Sequence, residues 1–135
     1  MSNHSTIHAF RLKPGEDLKA SIEKIVKEKN IEAGWIGTCV GSLTKYNLRF
    51  ANQQEGSSRE GHFEILSLSG TVSINGLHLH LAVSDSAGNT IGGHLLEGNI
   101  IYTTAELVIS STDKYLFTRA TDGTTPWEEL QINER

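Results

Sequence analysis

Cysteine, proline and positive charge are all scarce in this chain of 135 residues. Its single cysteine, Cys39, excludes an internal disulfide framework and fits a reducing compartment. Cys39 stands inside the apolar run Trp35 to Val40, as a small buried hydrophobe would, not as a reactive thiol. No apolar run approaches the roughly 20 residues that span a bilayer. No basic segment followed by an apolar stretch opens the chain, so no signal peptide is expected, and the cytoplasm is the expected compartment. Positive charge is in deficit: 12 Lys and Arg stand against 16 Asp and Glu, a net charge of −4 at pH 7. Nucleic-acid binding rests on basic side chains that neutralise phosphates, so DNA is a disfavoured partner. The one modest basic cluster, Lys19 to Lys29, is interleaved with Glu23 and Glu28 and reads as a solvated helix face. Neither a P-loop nor a dinucleotide fingerprint is present, and no Ser-His-Asp or Cys-His grouping follows from spacing.

What is present is enough for one packed domain over residues 1–135: 37% hydrophobic residues, 13 glycines, and no linker, low-complexity tract or internal repeat. The spacing predicts a short strand over Ile7–Leu12, broken by Pro14-Gly15. Leu18, Ile22, Ile25 and Val26 then recur at helical spacing and predict a helix over Glu16–Asn30. Beyond it the period becomes two. Strands are expected at Trp35–Val40 and Leu43–Ala51 with a break at Gly41-Ser42, then at His62–Ile74. Asn75-Gly76 is the strongest hairpin signal and leads into Leu77–Ser84. Asp85–Gly93 and Asn52–Gly61 read as loops, Asn99–Ser111 and Tyr115–Ala120 as strands, and Thr124–Leu130 as a short terminal helix. The expectation is an α+β fold: a mostly antiparallel sheet with one main helix packed on it.

The stretch from Gly76 to Asn99 holds three of the six histidines. Residues two apart on a strand share a face. His78 and His80 therefore project together, while Leu77, Leu79 and Leu81 project toward the core. His94 follows Gly92-Gly93, read as a turn, and is the candidate third arm. Three neutral imidazoles suffice to hold zinc or a similar divalent cation and leave one position open for water or substrate. A closed structural site would need a fourth ligand, usually cysteine, and only Cys39 exists. Asp85, just past the strand, is placed to orient one of the histidines through a hydrogen bond. The bland alternative is a strand with a half-polar solvent face. Glu64 and Glu106 lie within apolar strands, where a carboxylate needs a partner; Arg49, Arg59 and Arg119 are candidates. The two glutamates read either as acids of raised pKa or as residues of a strand edge or subunit interface. His4, His8 and His62 are not expected to be ligands.

These segments together resemble the PPC domain, conserved in plants and prokaryotes. The marks are Gly37 and Gly41-Ser42-Leu43, GHFEILSLSG at Gly61–Gly70, LHLHLAVSD at Leu77–Asp85, GGHL at Gly92–Leu95 and AELVI at Ala105–Ile109. The resemblance extends from Ile7 to Leu130. It implies the α+β fold already read from periodicity, and a homotrimer. In plant members DNA binding comes from AT-hook segments, and no Arg-Gly-Arg-Pro hook exists in this chain. Stand-alone prokaryotic members carry the DNA-binding or regulatory label by inheritance. The plant motif matching Gly61–Leu66 has Arg where this chain has His62, so the resemblance does not by itself imply partner contacts of the plant kind. Some prokaryotic members hold a metal through histidines that match His78, His80 and His94. Beside a trimeric metal-binding protein, enzymatic or not, a DNA-binding or regulatory protein is the alternative, and two further readings remain. One is a cupin-like metalloenzyme, whose His-x-His strand pattern is similar but whose proline and closely following glutamate are missing. The other is an assembly module without a ligand.

Overall fold

The computed structural model describes residues 4–135. The chain runs β1 (Ser5–Leu12), α1 (Leu18–Glu28), β2 (Gly34–Arg49), β3 (Ser57–Ser73), β4 (Gly76–Ser84), β5 (Thr90–Leu95), β6 (Ile100–Thr112), β7 (Tyr115–Ala120) and β8 (Glu129–Glu134). Six strands form one sheet in the order β1-β6-β2-β3-β4-β5, and β7 and β8 form a separate hairpin. Every pairing is antiparallel. β5 also turns back onto the end of β2, matching Leu95 with Leu48 and His94 with Arg49. This last pairing positions the site.

The helix forms where its stripe predicts. Leu18, Ile22, Ile25 and Val26 are all buried, and they join one apolar core with strand residues such as Leu43, Leu68, Leu81 and Leu107. Asp17 caps the helix: its carboxylate accepts from the Ala20 amide at 3.0 Å and from the Gly98 amide at 2.7 Å. One carboxylate thus fixes the start of α1 against the turn before β6. Asn99, fully buried, extends this junction. Its side-chain amide donates to the carbonyls of Asn47 and Leu96, and its oxygen accepts from the Asn47 amide.

Four expectations are corrected. Gly41-Ser42 does not break the chain; β2 runs through it as a single strand of 16 residues, with register shifts absorbing the irregularity. The loop before His62 is shorter than expected, because β3 begins at Ser57. The segment read as a loop up to Gly93 contains β5 from Thr90 onward, so Gly92-Gly93 is strand and not turn. No helix forms over Thr124–Leu130. Leu130 instead pairs with Arg119 in the β7–β8 hairpin. Among the described residues, no helix is long and apolar enough to cross a membrane.

Candidate metal centre

β4 alternates as its sequence requires: Leu79 and Leu81 are 2% and 1% exposed, while His78 and His80 face away from the core. The third histidine arrives across the sheet. His80 and His94 are directly opposed in the β4–β5 register, and side chains at such positions stand within touching distance. Arg49 opposes His94 on the other side, through the β2–β5 pairing. Ser69 opposes His80 from β3, and Thr71 opposes His78. One row, Ser69–His80–His94–Arg49, therefore crosses four strands.

The two glycines before His94 make this row possible. A Cβ on Gly93 would lie 2.7 Å from the Arg49 carbonyl oxygen, so only glycine lets β5 pass so close to β2. Gly70 solves the same problem on β3. Its φ is +141°, and a Cβ there would lie 1.9 Å from the His78 carbonyl oxygen.

The imidazoles converge. Ring centroids are 5.0 Å apart for His78 and His80, 5.5 Å for His78 and His94, and 6.0 Å for His80 and His94. One ring nitrogen from each can be chosen so that all three lie within 4.8 Å of one another. Nitrogens around a tetrahedral zinc ion stand about 3.4 Å apart, given metal–nitrogen distances of about 2.0–2.1 Å. The span here is wider by about 1.4 Å, and His78 and His80 are exposed, so closing on an ion calls for their side chains to turn inward. The protonation chemistry also suits a cation. Desolvation, then the neighbouring His80 and Arg119 charges, lower the pKa of His78. Desolvation and Arg49 push His94 down to about 4. Both imidazoles are thereby held neutral, with lone pairs available for a Lewis acid. The donor set fits a divalent cation with an open position. All three histidines line a cleft of about 460 Å³, and His78 and His94 also line one of about 410 Å³.

The other residues singled out from the sequence fall into two places. Arg119 belongs beside the triad. It donates from Nη2 to Thr71 Oγ1 at 3.0 Å, so its partner is neither Glu64 nor Glu106. β7 is anchored there because the Phe117 carbonyl accepts from both Ser73 Oγ and Asn75 Nδ2, at 3.0 and 2.9 Å. Asp85 lies elsewhere. Its carboxylate is engaged in its own turn, accepting from the amides of Asn89 and Ala87, which lowers its pKa, and it sits 3.9 Å from Arg59. It does not orient a histidine. Glu64 and Glu106 are exposed, not buried, and line a different groove of about 430 Å³ with His62, Tyr102 and Asp85. Cys39 is buried, and desolvation raises its thiol to about 11, as expected for an inert core residue. Sequence reasoning did not place Arg49, Trp127 or Glu129 at the triad. Their signal lies in pairings of β5 and β8 that periodicity did not reveal.

Fold and cluster together define a class: a small α+β protein built on an antiparallel sheet, with three histidines gathered on two neighbouring strands. The chain belongs to the Plants and Prokaryotes Conserved (PCC) domain family, whose model matches residues 1–113. A protein described as hypothetical from Salmonella cholerae-suis superposes with a TM-score of 0.96 at 38% identity, covering 100% of this chain and 98% of that one. A metal-containing protein from Archaeoglobus fulgidus superposes with a TM-score of 0.79 at 27% identity, over 96% of this chain and 95% of its own. The Bifunctional protein GlmU of Synechococcus sp. (strain JA-3-3Ab) is 43% identical over 128 residues, 95% of this chain. The match spans only 21% of that relative's length.

Proposed function

We propose that this chain is a homotrimeric, cytoplasmic metal-binding protein that holds one divalent cation, zinc in the first instance, through His78, His80 and His94. The observation that carries this reading is the convergence of three ligand nitrogens within 4.8 Å. The description of the Archaeoglobus relative as metal-containing supports it. A bound divalent cation would supply Lewis acidity beside the cleft. The chain's own residues would hold that cation through the three imidazoles, beside clefts bordered by Ser69, Arg49 and Arg119. The fold alone does not specify a reaction.

A trimer is supported by apolar side chains exposed on adjacent strands. Val40 on β2, Leu66 on β3 and Tyr102 on β6 are 54%, 55% and 43% exposed. DNA as the main partner is opposed by the net charge of −4.

The test is metal analysis after chelator treatment, reconstitution with zinc and removal of excess. Wild type should retain about one zinc per chain and His80→Ala far less. Equal and negligible zinc in both would overturn the reading.

A further inference from the structure

Two guanidiniums bracket the triad, and neither can hold a cation. Arg49 reaches it from β2, opposite His94. Arg119 reaches it from β7, held by Thr71, which opposes His78. Both are half-buried. Among the described residues, the arginines in ion pairs are Arg59, with Asp85, and Arg135, with Glu32; Arg49 and Arg119 are in none. Both line one cleft of about 410 Å³ together with His78 and His94, and Trp127 stands at its rim, 71% exposed. Glu129 lies on the same cleft, where its carboxylate accepts a hydrogen bond from Thr125 Oγ1 at 2.7 Å. A cleft of this volume suits a small molecule.

Arginine presents a planar fork of donors that matches carboxylate and phosphate oxygens. Glu128 and Glu129 also line this cleft, but neither forms an ion pair with Arg49 or Arg119, so both forks keep donors free beside the histidine cluster. We propose that Arg49 and Arg119 form an oxyanion clamp, and that the cleft receives a small molecule bearing a carboxylate or phosphate group. Only the placement of the ligand's other end, toward the triad, rests on the cation reading. Arg119 and Trp127 come from the segment after residue 113, outside the span matched by the family model. The C-terminal segment thus supplies one arm of the clamp, Arg119 on β7, and β2 the other.

Calorimetric titration tests the clamp, with malonate and methylphosphonate as probes. Each is titrated into metal-free and zinc-loaded protein, for wild type, Arg49→Gln, Arg119→Gln and the distant control Arg59→Gln. Zinc affinity is read separately by competition with a chromophoric chelator. At least one probe should bind wild type in both metal states. Each clamp variant should bind it about tenfold or more weakly, with Arg59→Gln and zinc affinity unchanged. The clamp is overturned if neither probe binds wild type, or if both clamp variants bind as wild type does. If wild type takes up no zinc but its metal-free form binds a probe in an Arg49- and Arg119-dependent way, the cation reading fails and the clamp stands. A short DNA duplex that displaces the probes with the same arginine dependence would overturn the small-molecule assignment.

Discussion

His94 sits where burial, Arg49, the two other imidazoles and Lys19 all oppose a proton, and its pKa falls from 6.5 to about 4. In the unfolded chain the same side chain titrates near 6.5. Between those pH values the unfolded state carries a proton that the folded state refuses, so stability rises with pH. The contribution is fully present above pH 6.5 and is lost as pH falls toward 4. His78 shifts in the same direction, chiefly through desolvation. Denaturant titrations of the metal-free protein at pH 7.0 and 5.0 should therefore show lower stability at pH 5.0, with a smaller drop in His94→Asn. An equal drop in both proteins would contradict the shift. At this scale the sequence was partly legible. Parity alone placed His78 and His80 on one face, because a strand alternates whatever its neighbours do. It could not place Arg49, since nothing local says that the end of β2 meets His94.

At the scale of elements, legibility followed the strength of local signals. α1 announced itself through Leu18, Ile22, Ile25 and Val26, all of which are buried. β5 did not. Its sequence, TIGGHL, reads as loop because two glycines lack strand propensity, yet Gly93 is needed for the close crossing of β2. Thr124–Leu130 reads as a helix because the spacing of Trp127 and Leu130 fits a helical turn, whereas pairing with β7 draws the chain from Glu129 onward into β8. Asn99 shows how one polar residue joins elements that periodicity treats separately. It ties Asn47, two residues before Arg49, to Leu96, two residues after His94. Asn99→Ala would leave buried backbone groups unpaired and should destabilise the metal-free protein by about 3 kcal/mol, read from urea denaturation. A loss below about 0.5 kcal/mol would contradict this account of the junction.

At the scale of the whole molecule, the neighbouring strands β2, β3 and β6 each expose a large apolar side chain, Val40, Leu66 and Tyr102, and the proposed trimer would cover them. Size-exclusion chromatography with light scattering should give three times the chain mass of 14.8 kDa. Leu66→Arg and Val40→Arg should move the mass toward that of one chain. A wild-type protein that runs as a single chain at micromolar concentration would contradict the trimer. Arg49 and Arg119 meet in a cleft that His78 and His94 also line. The central claim is that three histidines from two strands share one ion. Anomalous diffraction at the zinc edge, from crystals grown with stoichiometric zinc, tests it most directly. One strong peak is predicted, about 2.0–2.1 Å from a nitrogen of each of His78, His80 and His94. No peak at the triad, with zinc bound only elsewhere on the surface, would contradict it.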